Sequence, residues 1–141
     1  MRRATVVLAL LGLAASPRGC GASSRDVEVG DGDAILAAAL RDRVHDLQVH
    51  GHGIVASLRG DDTDGDRHQR FVVRLESGQT LLVAHSVPVA PCAEGLGVGD
   101  SVSLSGIYEQ SADGGTVRWT HADPDGERAP GWLRHGGRTY P

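Results

Sequence analysis

The chain has 141 residues, with 14 basic and 18 acidic side chains and seven histidines, and a formal net charge of −4. Every basic residue is arginine, which excludes a Schiff-base lysine, a phosphate-loop lysine and a serine–lysine dyad. The acidic balance disfavours nucleic acid as a partner, because non-specific affinity for phosphate backbones comes from clustered lysine and arginine.

The first 22 residues have the layout of a secretory signal peptide. Two arginines precede an apolar run from Ala4 to Ala15, and small residues follow. The run is shorter than the roughly 18 residues that a membrane-spanning helix needs, so we expect no transmembrane helix. We expect cleavage after Ala22 and a periplasmic or secreted bacterial protein. The alternative is a lipoprotein whose first mature residue is Cys20.

Removal of residues 1–22 leaves a chain long enough for one domain and too short for two. Residues 23–141 hold 11 basic and 18 acidic side chains, a net charge of −7, and we expect a monomer. With Cys20 removed, Cys92 is a lone thiol. If Cys20 is retained without a lipid, the two cysteines can form one disulfide.

From residue 23 onward the pattern predicts one helix followed by five strands. Residues 23–32 are small and polar and predict a tether, after which Asp33 can cap a helix that runs to about Asp46. The strand candidates are runs of alternating apolar and polar residues, separated by turn residues: 49–58, 69–75, 80–85, 101–109 and 116–121. The alternation predicts an inward orientation for Phe71, Val73, Leu75, Val102, Leu104 and Tyr108.

The order of these runs favours a mainly β fold, a small five-stranded OB-like barrel with one N-terminal helix. Gly51 and Gly53 in the first strand allow the sharp bend with which one strand pairs at both ends of such a barrel. The connection 87–99 is too rich in proline and glycine for a helix. The tail after His121 is predicted to wrap the barrel and bury Trp132. We therefore divide the chain into a signal peptide, a tether with helix, and a β domain: 1–22, 23–48 and 49–141.

Familiar catalytic and metal-binding motifs are absent from the sequence, and no cofactor is expected. Asp62, Asp64 and Asp66 have the first spacings of a calcium loop. Arg67 stands where that loop requires its turn glycine, so we interpret the segment as a solvated hairpin tip.

Three histidines stand at strand ends that the predicted barrel brings to one rim. They are His68, His85 and His121, and a catalytic zinc would need three such ligands. No pair has diagnostic spacing. We therefore predict a hydrogen-bonded rim that shapes a binding surface together with Arg70 and Asp123 and holds no tight metal.

Several motifs together carry a resemblance to a known family. They are the segments 53–55, 67–71, 75–82, 84–85, 99–102, 106–109, 114–115, 119–124 and 131–133. On these motifs, residues 49–140 resemble an uncharacterised family of short exported bacterial proteins, a domain of unknown function. The resemblance implies the domain boundaries and no activity. Members of that family often carry further histidines at the positions of Ala122 and Arg128, so a metal site built on those would be incomplete here.

Two functions are consistent with this pattern. The first is a non-enzymatic envelope module that binds a small ligand, a glycan or a protein partner. Its predicted binding residues are His68, Arg70, His85, Trp119, His121 and Asp123. The alternative is a metal-assisted hydrolase, such as a phosphodiesterase or nuclease, with the three rim histidines as ligands or general bases and Arg70 as anion clamp.

Overall fold

The described chain consists of one helix and seven strands. A computed structural model describes residues 29–60, 67–88 and 90–141. The predicted signal peptide, the tether up to residue 28 and the aspartate-rich segment 61–66 lie outside these residues. The elements are α1 Val29–Arg41, β1 His45–Leu58, β2 His68–Leu75, β3 Thr80–Ser86, β4 Ser101–Glu109, β5 Thr116–Arg118, β6 Trp132–His135 and β7 Arg138–Tyr140.

The first five strands form a closed barrel. Their order is β1-β2-β3-β5-β4, and β4 pairs back onto β1. β3 and β5 are parallel, and the other neighbours are antiparallel. The prediction of a mainly β, five-stranded OB-like barrel with one helix is therefore confirmed.

Strand β1 closes the barrel by pairing with both β2 and β4, and a glycine allows this double pairing. Gly53 lies opposite Leu75 of β2 and opposite Val102 of β4. A Cβ atom at this position would lie 2.7 Å from Val73 Cγ1 and would overlap the backbone of Arg74. The strands can approach this closely only because residue 53 has no side chain.

The barrel interior follows the predicted alternation. All six residues predicted to face inward are buried, and Phe71, Val73 and Leu104 are fully so. Ser103, next to Leu104, faces outward and is partly exposed. The period-2 pattern therefore places the core correctly.

The predicted helix boundaries were wrong at both ends. Asp33 lies inside α1, where its Oδ2 accepts a hydrogen bond from the Ser77 backbone N–H at 2.9 Å. The helix is over before Arg43, whose φ of +53° is incompatible with a helical turn. Leu47 fits helical spacing in the sequence but belongs to β1.

The tail forms a hairpin and not a simple wrap. β6 pairs with β4, and β7 pairs with β6. Leu133 and Tyr140 are the buried residues of this hairpin, whereas Trp132 is only half-buried. The prediction that Trp132 anchors the tail was wrong, because strand alternation turns Leu133 toward the core and Trp132 away from it.

Different segments close the two ends of the barrel. At one end, Gln79 Nε2 donates to the carbonyl oxygens of Leu36 and Gly114, which ties α1 to two hairpin turns. At the other end, the Gln69 amide exchanges two hydrogen bonds with the backbone of Ala93 and fastens the β3–β4 connection. No helix in the described residues is both long enough and apolar enough to cross a bilayer.

Candidate functional site

The predicted histidines lie on segments at the barrel end that the β3–β4 connection covers. His68 opens β2 opposite Ser86, next to the pair formed by Gln69 and His85. Thr120 and His121 follow Trp119, the first residue after β5. His85 is therefore adjacent to the start of β2 through strand pairing and to the turn after β5 through the Thr120 hydroxyl.

His85 lies inside the barrel and not on its rim. Its side chain is fully buried, Nε2 lies 3.0 Å from the carbonyl oxygen of Pro91, and Nδ1 lies 2.8 Å from the Thr120 hydroxyl. Because a carbonyl can only accept, Nε2 carries the proton and the Thr120 hydroxyl donates to Nδ1. Both ring nitrogens are thus occupied by the fold, which gives His85 a structural role.

The protonation of His85 is expected to weaken the fold. Burial lowers the pKa of His85, and His121 and His68 lower it further, against the opposing effect of the Pro91 hydrogen bond. The unfolded chain therefore binds this proton more readily. Neutral His85 therefore contributes its full stabilisation above about pH 6.5, the ordinary pKa of histidine. This contribution is lost progressively as the pH falls from there through the lowered pKa of the folded state.

Unfolding in urea at about pH 8 and about pH 5 tests this expectation. The control variant is His85→Gln, whose amide can donate to Pro91 and accept from Thr120 without titrating. The wild-type protein should lose more stability on acidification than the variant does. Equal losses would show that His85 does not carry the pH dependence.

Trp119 is the most unusual residue at this end of the barrel. Its φ is +57°, a left-handed conformation that bulky side chains rarely adopt, and 38% of it is exposed. The Arg128 guanidinium lies 4.9 Å above its ring, and the His121 ring lies 5.3 Å away. We call Trp119, His121 and Arg128 the Trp119 edge.

Close backbone packing fixes the turn that carries Trp119. The Gly131 N–H donates to the His121 carbonyl at 2.9 Å. A Cβ atom on Gly131 would overlap the Trp119 carbonyl oxygen and lie 2.8 Å from that of Ser105. There is therefore no room for a side chain at residue 131, where the start of β6 packs against strand β4 and the Trp119 turn.

Asp123 shapes the loop that brings Arg128 to the Trp119 ring. Its carboxylate accepts hydrogen bonds from the backbone N–H groups of Asp125, Glu127 and Arg128. These bonds, that of Asp125 first, lower the pKa of Asp123 and hold it ionised. The guanidinium of Arg128 also pairs with Asp46 at 3.2 Å. Asp123 is thus a positioning residue.

A comparison with protein families places the chain. The family model described as "Protein of unknown function (DUF3465)" matches residues 21–141. The chain belongs to this family. No curated protein and no solved structure shows a significant match. The resemblance predicted from the motifs is thereby confirmed, and the family description brings no activity with it.

Besides the buried His85, two more of the six predicted binding residues lie outside the Trp119 edge. Arg70 donates from Nε and Nη2 to the Gly60 carbonyl, at 3.1 and 2.9 Å, so its guanidinium closes the start of the β1–β2 connection. His68 is half-buried at the beginning of β2. The structure thus groups Trp119, His121 and the carboxylate that supports Arg128, and separates Arg70 from them.

Within residues 29–60, 67–88 and 90–141, no three histidine, cysteine, aspartate or glutamate side chains are placed to hold one ion. His121 donates from Nδ1 to the Ala122 carbonyl at 2.8 Å, which leaves Nε2 as its remaining nitrogen.

Sequence analysis missed Arg128, Thr120 and Gly131. Thr120 and Gly131 stood inside motifs of the resemblance, but their roles depend on the left-handed Trp119 turn. Arg128 lies on an irregular loop, and no period in the sequence predicts which way its side chain turns.

Proposed function

We propose that the chain is a non-enzymatic binding module that acts outside the cytoplasm and recognises a protein partner through the Trp119 edge. The exported location follows the signal-peptide pattern of residues 1–22. The barrel is the rigid support, and the turn after β5 presents the recognition residues.

The observation that carries the proposal is the conformation of Trp119. A left-handed backbone costs about 1–2 kcal/mol for an ordinary side chain. Here the packing at Gly131 enforces that conformation, and the ring is more than a third exposed. Strained, over-determined residues concentrate at functional sites.

A protein is the favoured ligand class because of the residue types at the edge. Tryptophan and arginine are the side chains most enriched in protein-interface hot spots. Arg128 lies over the Trp119 ring and pairs with Asp46, so both side chains are oriented before binding. Because these two side chains are already ordered, binding a partner costs less side-chain conformational entropy.

The alternative function, a metal-assisted hydrolase, gains less support. It requires His85 as a ligand or general base. Both nitrogens of His85 are engaged, one by Thr120 and one by Pro91, and the ring is fully buried. A metal would have to displace two hydrogen bonds of the core.

Site-specific photo-crosslinking in living cells tests the binding module. A photoreactive amino acid replaces Ala122, which is exposed beside His121, or the matched control Ala112, which is exposed in the β4–β5 connection. We expect one discrete adduct from position 122 in the periplasmic fraction, none from position 112, and at least tenfold less adduct with Trp119→Ala. A cytosolic protein, or adducts that Trp119→Ala leaves unchanged, would contradict the proposal.

A further inference from the structure

A second polar surface lies on the outside of the barrel, where β1, β4 and β6 run side by side. Register places its side chains in rows: His50 with Ser105 and Trp132, His52 with Ser103 and Arg134, and Ile54 with Ser101. Successive rows are about 7 Å apart, since each residue of a strand rises about 3.4 Å. Ser105 is buried and accepts a hydrogen bond from Gln48, so it does not contribute to the accessible surface. We call this surface the serine face, made of Ser101, Ser103, His50, His52, Trp132 and Arg134.

His52 joins two serine hydroxyls of this face. Its Nδ1 lies 2.9 Å from Ser103 Oγ, and its Nε2 lies 3.4 Å from Ser101 Oγ. A neutral imidazole has one N–H and one acceptor nitrogen, so one serine accepts from the ring and the other donates to it. The accepting serine keeps a free hydroxyl proton, and the donating serine keeps free lone pairs. The face therefore offers a donor and an acceptor side by side, and a change of tautomer exchanges them.

Arg134 supplies a fixed positive charge at the same place. Its guanidinium lies 5.0 Å over the Trp132 ring, and its Nε donates to the Thr139 hydroxyl at 3.2 Å. Its two Nη groups make no hydrogen bond to the described part of the chain. A stacked guanidinium with a free edge is oriented for a carboxylate, which it can bind with two parallel hydrogen bonds.

Ser101, Ser103 and Arg134 line a cavity of about 470 Å³, and His52 holds the two serines from the neighbouring strand. Its walls are Asp100, Ser101, Ser103, Arg134, His135, Gly136 and Gly137. The Oδ2 atom of Asp100 is engaged within the fold, because it lies 2.8 Å from His135 Nε2 and accepts from the Gly97 N–H at 2.9 Å. Asp100 and Arg134 are the charged walls of the cavity, and the two Nη groups of Arg134 are the positive groups that a ligand could reach.

We propose that the serine face binds an acidic saccharide, a sugar that carries a carboxylate. Arg134 would hold the carboxylate, while Ser101, Ser103 and His52 would meet the ring hydroxyls. Hydroxyl groups of a sugar both donate and accept, and the serine pair presents both capacities at once. The accessible positive charge of Arg134 beside neutral hydroxyl groups fits a ligand whose sugar units each carry one carboxylate among several hydroxyls.

The outer surface of β2 and β3 is a poorer candidate for this ligand, although that surface binds oligomers in other OB-folds. Its outward residues include Val72 and Ala84, both buried, and Arg70, which is engaged by Gly60. The described residues of β2 and β3 present no tryptophan, tyrosine or phenylalanine on that side. The polar groups that could bind a sugar are concentrated on the opposite side of the barrel.

The inference rests on the proposed binding function but uses different residues, so the two can fail separately. The probes are trigalacturonate, the neutral trisaccharide maltotriose, and acetate as a carboxylate without a sugar. Each is titrated into the ¹⁵N-labelled full mature chain and followed by the backbone amide shifts. We expect trigalacturonate to bind at least tenfold more tightly than maltotriose or acetate, with shifts at Ser101, Ser103 and Gly136.

Variants of exposed residues identify the groups that bind. Arg134→Gln should remove the preference for trigalacturonate over maltotriose, and Ser103→Ala should weaken both saccharides. The matched control Arg138→Gln lies on β7, where Arg138 pairs with Glu94, and should bind as the wild type does. Trp119→Ala should also leave the titration unchanged.

Four results would overturn the inference. One is the absence of any saccharide binding, and another is equal binding of acetate and trigalacturonate. The third is an affinity for trigalacturonate that Arg134→Gln leaves intact. Shifts confined to the Trp119 edge would likewise assign the saccharide to the other site and refute the serine face.

Discussion

Replacing Leu104 by alanine is expected to lower the free energy of unfolding by about 2–5 kcal/mol. Leu104 is fully buried at the centre of β4, opposite Gly51 of β1 and Leu133 of β6. Truncation removes apolar contacts and leaves a cavity that three paired strands cannot fill by moving. Urea unfolding followed by far-ultraviolet circular dichroism measures the loss.

The neighbouring residue provides the control for this prediction. Ser103 points to the outside of the same strand and is partly exposed, so Ser103→Ala should change the stability by less than about 1 kcal/mol. If the two substitutions had equal effects, the inward and outward assignment of β4 would be wrong.

The second large effect is expected from Gly131→Ala. The added methyl group would overlap the Trp119 carbonyl oxygen and crowd the carbonyl of Ser105, which belongs to the rigid strand β4. We expect a loss of about 1–3 kcal/mol, as for other overpacked sites, and a displaced Trp119 turn. Thermal unfolding measures the loss of stability, and a shift in tryptophan fluorescence reports the displaced turn.

Gly60→Ala is the matched substitution for Gly131→Ala. A Cβ atom at Gly60 meets nothing within 4 Å, and its backbone does not require glycine. This variant should unfold at the temperature of the wild type. A Gly131→Ala protein with unchanged stability and fluorescence would show that the Trp119 turn is not held by this packing.

The barrel could be predicted because its signals are local. Phe71, Val73 and Leu75 recur at every second position, out of phase with Arg70 and Arg74, and glycine-bearing turns separate the strands. Both the period and the ends of the strands are therefore visible in the sequence. The helix end was missed because Leu47 fits a helical spacing as well as a strand. β6 and β7 were missed because runs of four and three residues are too short to show a period.

The candidate sites were harder to predict than the barrel, because they depend on contacts between residues far apart in the sequence. The places of His68 and His85 at neighbouring strand ends could be predicted from the strand pattern. His85 has the same strand parity as the inward Leu81 and Val83, which is consistent with its burial. Its two hydrogen bonds could not be predicted, because their partners Pro91 and Thr120 lie outside the strand. The serine face needed the β1–β4 register, because only this register sets His52 against Ser103.

The position of the C-terminal hairpin has a consequence for how the chain acquires its structure. Leu133 and Tyr140 belong to the core, whereas the first strand of the barrel begins at His45. A chain that emerges from a ribosome with its N-terminus first cannot complete this interior until residue 140 has emerged. β1 also lacks its second partner until β4 is present, so the contacts that close the barrel are non-local and form slowly. The complete interior therefore forms only once residues 45–140 are all available.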